Sequence, residues 1–231
     1  MDQDKIWDHF QTQGLELFAH SLPRLKFLLH EAQNATRNVN VKILNIGVGD
    51  GWLERQCHQQ GWKAYALDPS EPSLVGLTGV GIKGAVGYIE NIPFANDSFD
   101  FVFCSEVIEH LSIPQVESAL REVQRVLKGS GLLLGTVPFK ENLFEGRVVC
   151  PACGNVFHHM GHQQSFDTER LLSLFPAKLR VERIRVIYFA DWSALNWKGR
   201  VLAVVKRALL SAGVHGTYES IYFRAKKVTI S

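Results

Sequence analysis

Val41-Lys-Ile-Leu-Asn45-Ile-Gly47-Val-Gly49-Asp-Gly51-Trp52 decides how this chain folds. A short apolar run, Val41–Ile46, ends on glycines and leads into a stretch with helical spacing from about Trp52. A strand that opens onto a helix N-terminus lies at the carboxyl edge of a doubly wound sheet, where such sheets take ligands. Glycines belong there because a ligand must lie against bare backbone. The spacing discriminates between ligands. A dinucleotide fingerprint would place a glycine where Trp52 stands, and a phosphate-binding loop would need Gly-Lys-Ser/Thr, which is missing. What remains is G-x-G-x-G with Asp68, about 20 residues on, at the end of the next apolar run and placed for ribose hydroxyls. That arrangement fits a nucleoside that carries no pyrophosphate.

Outward from this loop the chain alternates. Lys63–Asp68, Asp100–Ser105 and Gly131–Val137 are further continuous apolar runs. Such runs suit strands buried on both faces of a parallel sheet. Val116, Leu120, Val123 and Leu127 fall at helix spacing between two of them. The Gly76–Gly81 stretch allows only a brief helix. Strands alternating with helices imply an open α/β sheet. Residues 4–33 predict two helices, one carried by Ile6, Trp7 and Phe10, the other by Leu22, Leu25, Leu28 and Leu29. Alternation around Ile184–Tyr188 and Ile221–Lys226 predicts two half-exposed edge strands.

Composition bounds the classes. The chain has 231 residues, 46% hydrophobic and 21% charged, which excludes a fibre, a coiled coil or a disordered chain and predicts one domain. No run nears the roughly 18 apolar residues of a membrane span, and the acidic opening residues predict no secretory leader. Four cysteines are too few for a disulfide scaffold, so the expected compartment is the cytoplasm. The net charge of +2 hides an asymmetry: residues 1–175 carry 14 Lys+Arg against 20 Asp+Glu, and residues 176–231 carry 11 against 3. No basic stripe with interleaved aromatics points to nucleic acid.

Five blocks now stand in order: Asn45–Gly51, Leu67-Asp-Pro-Ser70, Glu90–Asp100, Ser105-Glu-Val-Ile-Glu-His-Leu111 and Glu122–Gly131. Together they resemble the class I S-adenosylmethionine-dependent methyltransferases, in their broad small-molecule branch, over about residues 40–140. The resemblance implies a Rossmann-like doubly wound seven-stranded α/β sheet, mostly parallel with an antiparallel edge strand, and helices on both faces. It implies that Asn45, Gly47 and Gly49 meet the methionine part of the cofactor. Asp68, beside Pro69, holds the ribose; the backbone of Ile89 meets adenine; Cys104 lines the methionine pocket. Two positions depart from the family. Asn45 stands for its usual acidic residue, and Tyr88 for its usual Asp.

Methyl transfer is an in-line displacement governed by positioning. His110, just after the Asp100–Ser105 strand, is the candidate base for an oxygen or nitrogen nucleophile. A variant reading gives Glu106, Glu109 and His110 to a divalent ion. Downstream, Cys150-Pro-Ala-Cys153 and His158-His159-Met-Gly-His162 read as C-x2-C-x4-H-x3-H. With His158 and His162 as ligands and His159 as the spare, this predicts a closed structural zinc knuckle. Its short gap excludes a DNA-reading finger. Trp192 to Leu209, with Lys198, Arg200, Lys206 and Arg207, predict a basic amphipathic helix that serves as a lid or makes weak contact with a membrane surface.

The organisation expected is therefore one methyltransferase domain over 1–231, with a helical cap at 1–38, the zinc knuckle at 140–165 and the lid at 190–215. The expected acceptor is a small molecule or a glycan-linked group. A different reading, a catalytically silent methyltransferase-like fold that binds a protein or membrane partner through the knuckle and the basic helix, rests on Asn45 and Tyr88. The sequence sets no oligomeric state.

Overall fold

The computed structural model describes residues 5–7, 9, 18 and 20–228. The first of the two helices expected at the N-terminus falls largely outside the described residues. The second is α1, Leu22–Ala35, with Pro23 in its first turn. There follow β1 (Lys42–Ile46), α2 (Trp52–Gln59), β2 (Lys63–Asp68), α3 (Glu71–Thr78), β3 (Lys83–Val86), β4 (Phe99–Ser105), α4 (Ile113–Val126) and β5 (Leu127–Pro138). A hairpin, β6 (Arg147–Val149) and β7 (Val156–His158), leads through α5 (Thr168–Ser173) to β8 (Leu179–Tyr188), α6 (Trp197–Ser211) and β9 (Glu219–Lys227).

Seven strands form one sheet in the order β3-β2-β1-β4-β5-β9-β8. Strands β1 to β5 pair in parallel, and β9 runs antiparallel to both β5 and β8. The antiparallel strand is thus one place in from the edge, and β8 alone closes that side. Alternation had marked β9 as half exposed because Tyr222, Arg224 and Lys226 interrupt its apolar residues. In the fold Tyr222 is buried, its hydroxyl donating to Glu31 of α1 at 2.7 Å, while Arg224 donates to Glu182 of β8 at 3.0 Å. Strand β3, not marked by the sequence, is short, glycine-containing and mostly exposed, so no apolar run announces it.

Each strand divides its side chains between two cores, as a pleated strand must. Val102 and Cys104 of β4, with Leu133 and Val137 of β5, face α4, whose Val116, Leu120 and Val123 complete that layer. Phe101, Phe103, Leu132 and Leu134 face the other way, onto Leu28 of α1, Leu53 of α2 and Leu74 of α3. Helix α4 is set by a capping box, Ser112 and Gln115. The strand order reverses between β1 and β4, which fixes the ligand crevice above their carboxyl ends. Among the described residues no helix is long and apolar enough to cross a membrane.

Candidate active site

The glycine loop closes on itself at the mouth of that crevice. Gly47, Gly49 and Gly51 all have positive φ. At Gly47 a Cβ would lie 2.8 Å from Val107 Cγ2, so bare backbone there is a steric requirement as well as a conformational one. Asp68, ending β2, binds the loop: Oδ2 accepts the Val48 N–H at 2.8 Å and Oδ1 accepts the Ser70 N–H at 2.9 Å. Asn45 Nδ2 donates to Glu54 Oε1 of α2 at 2.8 Å and to Gly47 O at 3.2 Å. Glu54 is fully buried, and burial pushes its carboxyl up to about 7 against the hydrogen bond from Asn45.

A cavity of about 470 Å³ lies over this loop. Asn45, Gly47, Gly49, Asp68, Pro69 and Ile89 line it, each of them among the expected cofactor residues, and Tyr88 and Glu90 continue the wall. Cys104 does not line it. It is 2% exposed and faces the α4 core, where burial pushes its thiol up; the next residues, Ser105, Glu106 and Val107, form the wall instead. The reason is strand pleat, since Cys104 points to the core face and Ser105 away from it. Two sequence blocks are tied to each other behind this wall. Arg125 of α4 donates to the carbonyls of Ile92 and Phe94, at 2.8 and 2.7 Å, and Glu122 accepts the Ile92 N–H at 2.9 Å.

His110 lines the other end of the cavity. It closes a single 3-10 turn, Ile108–His110, after β4. Its ring stands edge-on to Trp7, at 4.3 Å between centroids, and to His162, at 4.5 Å. Among the described residues His110 Nδ1 and both carboxylate oxygens of Glu109 are buried without a hydrogen bond in the geometry of the fold. Burial first, and His162 second, hold the His110 imidazole well below its ordinary value, so it stands neutral at pH 7. Burial and the nearby Glu106 carboxylate push Glu109 well above the carboxylate range. Glu106 adopts φ +56° and lies 3.8 Å from Arg24 Nε. It points to the cavity with Val107 and is not clustered with Glu109 and His110 as a metal set; His162 is.

The cysteine–histidine insert does not assemble the expected four-ligand knuckle. Cys150 and Cys153 sit at the tip of the β6–β7 hairpin, where Cys150 N–H donates to Asn155 O and Gly154 N–H to Cys150 O. There the backbone N–H groups of Cys153 and Ala152 draw the Cys150 thiol down. His158 and His162 instead turn inward from the hairpin's base. Their clustered partner is Glu141, and among the described residues no cluster of three metal-ligating groups contains a cysteine. The C-x2-C spacing makes its own turn, but the hairpin holds its tip away from its base. Glu141, which sequence spacing missed, arrives because the segments around Phe139 and Phe166 run side by side, Lys140 N–H donating to Phe166 O at 2.7 Å. Gln163 and Gln164 N–H both donate to Glu109 O, so this insert lies directly on the His110 turn.

The basic helix α6 is present but turned unexpectedly. It buries Ala203, and Lys206 and Arg207 lie over the rings of Tyr188 and Trp192. Trp197, Val201, Leu202, Val204, Val205 and Leu209 are exposed. Neither Trp192 nor Trp197 lines the cavity.

Residues 44–135 match a family model described as a methyltransferase domain. Among curated proteins, a malonyl-[acyl-carrier protein] O-methyltransferase from Erwinia billingiae is 30% identical over 116 residues, covering 49% of this chain and 45% of that protein. A ubiquinone/menaquinone biosynthesis C-methyltransferase from Sinorhizobium fredii is 35% identical over 114 residues, covering 45% and 43%. The chain thus spans under half the length of these curated relatives. Solved structures share the fold over more of it. A SAM-dependent methyltransferase from Methanosarcina mazei superposes with TM-score 0.61 at 15% identity, covering 86% of this chain and 98% of that one. The 1,6-didemethyltoxoflavin-N1-methyltransferase of Burkholderia thailandensis, with bound 1,6-didemethyltoxoflavin and S-adenosylhomocysteine, gives 0.68 at 13% identity, covering 96% and 86%.

Proposed function

We propose, from the methyltransferase domain that the chain carries at residues 44–135, that it moves the methyl group of S-adenosylmethionine to an oxygen or nitrogen of a small-molecule or glycan-linked acceptor. The observation that carries this reading is the single cavity wall on which Gly47, Gly49 and Asp68 stand at one end and His110 at the other. Asp68 takes the ribose hydroxyls, Gly47 and Gly49 lie against the methionine part, and the Ile89 backbone meets adenine with Tyr88 alongside. Asn45 borders the cofactor end of the cavity, its amide held by the Glu54 carboxyl behind it. The reaction displaces a neutral thioether from a sulfonium, so holding acceptor and methyl in line is the main task. His110 is the base that takes the acceptor's proton. It lines the cavity, and its neutral form is the one able to accept a proton. Relatives named as a malonyl-[acyl-carrier protein] O-methyltransferase and a ubiquinone/menaquinone biosynthesis C-methyltransferase support methyl transfer without choosing the acceptor or the attacked atom. The test is calorimetry with the cofactor followed by acceptor screening with a radiolabelled methyl group. Turnover lost in His110→Ala with cofactor affinity kept supports the base role; undiminished turnover removes it.

The exposed apolar face of α6 favours one further contact, with an anionic membrane surface. Trp197, Val201, Val204 and Leu209 present apolar area, and exposed Lys198, Arg200 and Arg207 provide the charge that such a surface attracts. Sedimentation with phosphatidylglycerol vesicles, lost in Val201→Glu and absent with phosphatidylcholine vesicles, supports it; equal binding to both, or binding to neither, opposes it.

A further inference from the structure

We propose that Glu141, His158 and His162 form a binding site for one divalent transition-metal ion of the zinc class, opening through His162 onto the acceptor end of the cavity. The inference rests on the methyltransferase reading only for the meaning of that cavity.

The three donors come from three separate segments and converge. Glu141 follows β5, His158 ends β7, and His162 lies in the loop beyond. One ligand atom from each falls within 4.8 Å of the others. His162 Nδ1 lies 2.5 Å from Glu141 Oε2, and His158 Nε2 lies 3.7 Å from Glu141 Oε1. A tetrahedral ion with bonds of about 2.1 Å separates its ligand atoms by about 3.4 Å. The His158 spacing lies within about 0.3 Å of that distance, and the His162 spacing would have to open by about 0.9 Å to admit an ion. The two rings lie nearly parallel, at 17° and 4.7 Å between centroids, and present a nitrogen to the same carboxylate. Gly146 makes room for this arrangement, since a Cβ there would meet His158 Nε2 at 2.1 Å.

Two further observations point to a cation. Both histidines are at least nine-tenths buried, and among the described residues the ion pairs of Glu141 are with them and with no Lys or Arg. On the other side of His162 stands Glu109, fully buried, with no hydrogen bond to either carboxylate oxygen among the described residues. Two imidazoles with one carboxylate form a donor set for zinc-class ions that leaves a fourth position open. His162 lines the cavity and its ring meets that of His110, so the site stands beside the acceptor end. This is a different site from the cysteine knuckle, whose thiols lie in neither cluster.

The test is cobalt(II) titration of the chelator-treated full chain, followed by its visible absorption and by metal analysis, with S-adenosylmethionine calorimetry run beside it. The wild type is compared with Glu141→Gln, His158→Gln and a Cys150→Ser/Cys153→Ser double variant, each checked for its melting temperature. The expected result is one ion per chain, affinity lowered at least about tenfold in Glu141→Gln and His158→Gln, and no loss in the double cysteine variant. Should His158→Gln fail to fold, Glu141→Gln, isosteric and partly exposed, carries the test. No binding, binding unchanged in Glu141→Gln, or a thiolate-to-cobalt band abolished by the cysteine substitutions overturns the proposal. Cobalt bound normally by a protein that binds no S-adenosylmethionine supports the metal site and overturns the methyltransferase reading instead.

Discussion

Asp68 Oδ2 accepts the Val48 N–H at 2.8 Å, so the carboxylate proposed to take the ribose also holds the glycine loop in shape. Its other oxygen accepts the Ser70 N–H, which anchors the start of α3. The proposed recognition role and the loop-holding role sit on one side chain, and substitution separates them. Asp68→Ala leaves two backbone donors without partners at a site 4% exposed, a cost of about 2–4 kcal/mol. The expected fall in melting temperature is roughly 5–15 °C. Asp68→Asn keeps one acceptor oxygen and falls by less; equal falls in thermal scans would contradict the clamp.

Glu54 sets a pH dependence of stability. Its carboxyl, at about 7 in the fold against an ordinary 4.5, stays protonated where the unfolded chain has already ionised. The unfolded state then binds fewer protons, so stability falls as pH rises from 4.5 through 7. The stabilisation is whole below 4.5 and lost above 7, with an upper value of about 3 kcal/mol. Glu54→Gln retains an acceptor for Asn45 and cannot ionise. Chemical denaturation should give a flatter profile for it across this window and a more stable protein at pH 8. An unchanged slope would mean that Glu54 is already ionised in the fold.

Arg125 fastens the side of the cavity proposed to take adenine. Its donors reach Ile92 O, Phe94 O and Glu122, and together they hold the segment that continues from Tyr88 and Ile89. Arg125→Ala should cost about 2–4 kcal/mol and weaken S-adenosylmethionine severalfold, read by denaturant titration and calorimetry. Full affinity in the variant would show that the segment keeps its place without the clip.

His110→Ala should lower turnover by about 10²-fold or more while the cofactor dissociation constant stays within twofold. His110→Gln, which retains bulk but cannot take a proton, should be equally slow. A Gln variant that works would turn His110 into a packing residue against Trp7 and His162.

Much of this was legible because parallel strands write themselves as unbroken apolar runs. β1, β2, β4 and β5 each did so, and Gly47, Gly49 and Asp68 sit where those runs end. The alternation on β9 reads as an edge, but Tyr222 is buried against α1 and Arg224 half-buried against β8, through partners that lie far off in sequence. Cys104 was one residue out of phase, and the pleat sent it to the core. In the insert, spacing showed that Cys150, Cys153, His158 and His162 could share a turn. The hairpin separates them and brings Glu141 from 17 residues before His158, a pairing no local pattern announces.

The central claim is tested most directly by calorimetric titration of the folded protein with S-adenosylmethionine, beside Asp68→Ala. Binding at one site per chain with micromolar affinity, weakened at least about tenfold in the variant, is the predicted result. A folded wild type that takes up no S-adenosylmethionine would contradict the account and leave the chain a methyltransferase-like fold put to a different use.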